Sequence, residues 1–80
     1  MDFHASVFLQ RIEGIKAAIT SLDEGTQTLS RGVYMLRRSI PAELHTEHQY
    51  LAAMDDAINR MLVSHAMLLE AVDSLPFAGR

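Results

Sequence analysis

The stretch from residue 8 to residue 40, FLQRIEGIKAAITSLDEGTQTLSRGVYMLRRSI, decides the fold. Within it Phe8, Ile12, Ile15, Ile19, Leu22, Thr26, Leu29, Val33, Leu36 and Ile40 follow one another in alternating steps of four and three. That spacing puts all of them on one side of an α-helix, through roughly four and a half heptads with a single polar member. With Ile12 taken as position a, the β-branched Ile12, Ile19, Val33 and Ile40 fall at a, and Phe8, Ile15, Leu22, Leu29 and Leu36 fall at d. A second stripe of the same spacing runs through Leu51, Met54, Ile58, Met61, His65, Leu68, Val72 and Leu75.

Punctuation between and beyond the stripes marks two helices. Arg37 and Arg38 complement the dipole at a helix C-terminus, and Glu43 and Glu47 suit the start of the next helix. Pro41 fits a first-turn position, and Thr46 with Gln49 offers a capping box, so the second helix begins between residues 41 and 47. Pro76 ends it. Ser21 with Glu24, and Asp23-Glu24-Gly25, could instead break the first helix and give three helices. The stripe passes through Leu22, Thr26 and Leu29 without a slip, which favours one continuous helix. The expectation is a single all-α domain over residues 1–80, an antiparallel two-helix hairpin. Its first helix covers about 3–39, its turn about 40–45 and its second helix about 43–75. It is expected to associate into a four-helix bundle or a larger helical assembly.

Composition points the same way. A chain of 80 residues buries only roughly 60% of its unfolded surface, and small scaffolds of this kind usually need a staple, a metal or a partner. Cysteine is absent, so no disulfide supplies the staple, and the composition fits a reducing, cytoplasmic setting. A net charge of −3 gives no general attraction to nucleic acid or anionic membrane. The N-terminal residues lack the basic and apolar regions of a secretory signal, and no apolar run is long enough to span a bilayer.

Folding the chain near residue 41 or 42 would put Gly32 near Leu51, Gly25 near Ile58 and Ala18 near His65. Ala18, Gly25 and Gly32 then form a small-residue column beside the seam, matched by Ala57, Ser64 and Ala71. The end away from the turn looks too apolar for an isolated hairpin, with Val7, Leu9, Leu62, Val63, Met67 and Leu69 added to the stripes. A partner is therefore expected, either a second copy in a dimer or a different helical protein. Phe8, Ile12, Ile15, Ile19, Leu62, Leu68, Leu69 and Val72 are the candidate association residues.

Chemistry has little foothold. There is no cysteine nucleophile, no serine in a strand-to-helix elbow and no phosphate-binding glycine loop, so no enzyme activity and no cofactor are expected. Glu43, His45, Glu47 and His48 lack the paired Glu-x-x-His pattern of di-metal bundles, and no metal site is expected. His65 is a lone histidine at a, where protonation would charge the seam. Arg31, Arg37 and Arg38 form a small basic cluster with Tyr34 beside it. A dimeric four-helix-bundle regulator that binds nucleic acid through paired clusters is the alternative function.

The run Leu22-Asp23-Glu24-Gly25-Thr26-Gln27-Thr28-Leu29 resembles part of the first helix of needle subunits of bacterial type III secretion systems. The chain length and the place of the turn are also similar. The resemblance implies export without a cleaved signal peptide and helical polymerisation. The sequence departs from that pattern in carrying Pro41 alone at the turn and Pro76 and Gly79 in the tail. Co-chaperones of the same systems are also small helical hairpins, which hold needle subunits by helix–helix contacts and accommodate those departures. The expected function is thus a non-enzymatic assembly subunit, of needle type or its co-chaperone.

Overall fold

The structure is a computed structural model and describes residues 5–75. Two antiparallel helices, α1 (Ala5–Ser39) and α2 (His45–Asp73), pack against each other as a hairpin, with no strand among the described residues. α1 is continuous through Ser21–Gly25, so the stripe outweighs the local capping signals there. Thr26 Oγ1 donates to Leu22 O at 2.7 Å and Thr28 Oγ1 to Glu24 O at 3.0 Å. Both hydroxyls thereby bond back one turn inside the helix instead of opening it.

The turn is longer than a proline-started helix would make it. Ile40 N–H still bonds Leu36 O, Leu44 N–H bonds Pro41 O, and α2 begins at His45, with Leu44 as a cap that offers no side-chain acceptor. Thr46 lies inside the helix and does not cap it. His48 Nε2 donates to Pro41 O at 3.1 Å and ties the turn to the first coil of α2. At the far end Ser74 closes α2, its backbone N–H and its hydroxyl both bonded to Glu70 O.

The longer turn resets the register. Two cross-helix ion pairs and one close approach fix it: Lys16–Asp73 at 3.0 Å, Arg37–Asp55 at 3.5 Å, and His65 Nδ1 3.5 Å from Asp23 Oδ1. Asp23, not Ala18, therefore lies opposite His65, and Val33 packs with Leu51 and Ile58. The pairing expected from a fold at residue 41 or 42 is displaced by about two helical turns.

The seam is made almost wholly of a positions. Ile12, Ile19, Thr26 and Val33 of α1 and Leu51, Ile58 and His65 of α2 are the buried side chains, with Ile58 at 2% exposure. Position e is half-buried on both helices, at Lys16, Asp23, Ser30 and Arg37 and at Asp55, Leu62 and Leu69. Position d is left half-exposed throughout, from Leu22 at 57% to Met61 at 39%. One stripe of each helix closes the hairpin, and its companion stripe is left over.

Candidate interaction surface

The leftover stripes lie on the same side of the molecule. Heptad geometry puts d and e on opposite flanks of a. The ion pairs join Lys16 at e to Asp73 at b, and Arg37 at e to Asp55 at e. The e and b edges of both helices therefore share one side of the hairpin, and the d edges share the other. In the observed register Ile15 lies level with Leu75, Leu22 with Leu68, Leu29 with Met61 and Leu36 with Met54. These are four apolar layers, each 40–57% exposed apart from Met61.

Charge divides along the same line. Within α1 and α2 the charged residues at d, g or c are Arg11, Glu47 and Arg60, and of these only Arg60 lies between the outermost apolar layers. Glu13, Lys16, Asp23, Glu24, Arg31, Arg37 and Arg38, with Asp55, Asp56, Glu70 and Asp73, all occupy e, b or f. Of the exposed large apolar side chains only Leu9, Tyr34, Leu44 and Val63 lie off the d, g and c face or its approach. A continuous apolar face of this kind is what soluble monomers rarely expose.

The small residues belong to this face and not to the seam. Ala18, Gly25 and Gly32 fall at g, Gly14 at c, and Ala57, Ser64 and Ala71 at g of α2. A Cβ built on Gly14, Gly25 or Gly32 meets nothing within 4 Å. The open space at each glycine shows that none of them lies against the other helix. They leave the outer flank of the apolar stripe low and open.

The association residues expected from sequence divide between the two surfaces. Ile12 and Ile19 are spent in the hairpin's own seam, and Phe8, Leu62, Leu69 and Val72 are half-buried. Ile15 and Leu68 stand on the apolar face. Leu22, Leu29, Leu36, Met54, Met61 and Leu75 belong with them but were missed, because a and d look alike until the direction of the neighbouring helix is known. The neutral g and c columns were the signal that could have found them. Val7 and Leu9 are exposed at the end of α1 away from the turn, and Val63 and Met67 on α2.

The seam carries one polar layer. Thr26 and His65 lie level in it, at 8% and 9% exposure. Thr26 is satisfied by Leu22 O, while His65 Nδ1 is buried, makes no hydrogen bond and lies 3.5 Å from Asp23 Oδ1. Near the turn, Arg37 faces Asp55. Arg38 donates to Tyr34 Oη at 3.1 Å with its guanidinium 5.6 Å from the ring centre, and Arg31 donates to Thr28 Oγ1 at 3.4 Å. These arginines stand on the charged side. No group of three or more His, Asp or Glu that could hold a metal occurs among the described residues, and no helix there is long and apolar enough to cross a membrane.

Comparison with known proteins returns no match to any family model, curated protein or solved structure.

Proposed function

We propose that this chain is a non-enzymatic assembly subunit that works by docking the d, g and c face of its hairpin against other helices. The carrying observation is the sorting of residues: four level apolar layers with open small-residue flanks on one side, and nearly every charge on the other. A face of Leu, Ile and Met left half in water forfeits burial energy that a small domain needs, and a docked helix pair recovers it. The likeness of residues 22–29 to type III needle subunits supplies a setting for this reading, as needle-type protein or as its co-chaperone. Leu22 and Leu29, the ends of that run, are both on the apolar face.

A photo-crosslinking side chain at Leu22, with Thr20 on the charged side as control, tests the reading in the cell that makes the protein. Discrete adducts of higher mass from position 22 and none from position 20 are expected. No adduct from position 22, or equal labelling from both, refutes it.

The nucleic-acid reading draws on Arg37, Arg38 and Tyr34 standing together near the turn on the charged side. Arg37 and Arg38 are each engaged within the chain, which weakens that reading. A salt-sensitive gel shift would revive it.

A further inference from the structure

We infer that the occupant of the apolar face is a second copy of this chain, docked face to face about a two-fold axis that passes level with Gly25 and Ser64. The inference rests on the assembly reading and names its partner. A two-fold interface needs a patch that is complementary to itself. Both small-residue columns have that property: Ala18 and Gly32 flank Gly25 symmetrically, and Ala57 and Ala71 flank Ser64 symmetrically. The register set by the Lys16–Asp73 pair and the Asp23–His65 approach puts Gly25 and Ser64 at the same height. One axis therefore serves both helices. It sets α1 antiparallel on the partner's α1 and α2 antiparallel on the partner's α2, with the turns at opposite ends.

The apolar layers agree with that axis. Rotation about it lays Leu22 on the partner's Leu29 and Met61 on the partner's Leu68, so all four layers of each copy are covered. Small residues meet small residues along the flanks, where the open space at Gly25 and Gly32 lets the backbones come close.

Arg60, at c and the one charge between the outermost apolar layers, falls at the outer rim of that interface, where its guanidinium stays in water.

The area suffices. Ile15 to Leu36 spans about 32 Å of helix, and the hairpin is 18 Å wide. Two such faces remove well over about 1,100 Å² from water once side-chain relief is counted, close to the range of stable specific interfaces.

The absence of cysteine makes the test clean. Ser64→Cys lies on the axis, and Asn59→Cys on the charged side is the control. The purified chain at tens of micromolar is expected to scatter light as a dimer. Ser64→Cys is expected to form an inter-chain disulfide rapidly under mild oxidation, and Asn59→Cys to stay reduced. A folded monomer at these concentrations overturns the proposal. So does a dimer in which Ser64→Cys fails to couple. A monomer that still gives adducts from position 22 in the cell would refute the second copy and leave the assembly reading standing.

Discussion

Alanine at Leu22 separates what the hairpin does for itself from what the proposed second copy would do for it. Leu22 is 57% exposed in the single hairpin. Leu→Ala removes three carbons, worth about 2.4 kcal/mol when fully buried at about 0.8 kcal/mol each. The part of the side chain still in water corresponds to about 1.4 kcal/mol per subunit, recovered only on docking. A symmetric dimer loses it twice, close to 3 kcal/mol, or about a hundredfold in Kd. Ile58→Ala is the internal comparison: at 2% exposure it costs about 2–5 kcal/mol of hairpin stability directly. Sedimentation equilibrium gives the Kd of each variant, and thermal unfolding at two protein concentrations separates folding from association. Leu22→Ala should shift the concentration dependence far more than the extrapolated stability of the monomer. An unchanged Kd for Leu22→Ala, with the fold intact, would refute the assignment of the d face as the docking surface.

Three further outcomes follow from the same geometry. His65→Leu should raise stability by about 1–3 kcal/mol, because it removes a buried nitrogen without a hydrogen bond and Thr26 keeps its own acceptor; a lower melting temperature would contradict this. Gly32→Ala should stabilise the monomeric hairpin by up to about 1 kcal/mol through helix propensity, since its Cβ meets open space, whereas Gly25→Leu should abolish dimerisation and leave helicity intact by circular dichroism. Lys16 is held above its ordinary value of 10.5 by its hydrogen bond to Asp73 and then by the charge of that carboxylate. A raised value in the folded state means that the pair's stabilisation is whole below that ordinary value and is lost as pH rises through the raised one. The alkaline limb of the stability curve should therefore flatten in Asp73→Asn, and the Lys16 titration followed by NMR should return toward 10.5.

The hairpin was legible in the sequence, and its sidedness was not. Unbroken four-and-three steps from Phe8 to Ile40 outweighed the turn signal at Asp23-Glu24-Gly25, and α1 is continuous. The same steps could not say which stripe faces inward. Both a and d are apolar, and the choice depends on how far the turn carries α2 along α1. The pairing was drawn from a fold at residue 41 or 42, whereas Pro41 opens a turn that sets the start of α2 at His45, within the expected range of 41 to 47. The error moved every cross-helix pairing and assigned the glycines to the wrong surface. Ile12 and Ile19, grouped with Ile15 as candidate association residues, are buried in the hairpin.

Three glycines lie within α1, all of them on the open apolar flank. Each costs that helix about 1 kcal/mol against alanine, so the weakest segment of an orphan copy is the one that docking would reinforce. Proteases act on chains that open, at a rate set by how often they do so. In the proposed assembly, unpaired copies would then open, and be cleaved, more often than paired ones.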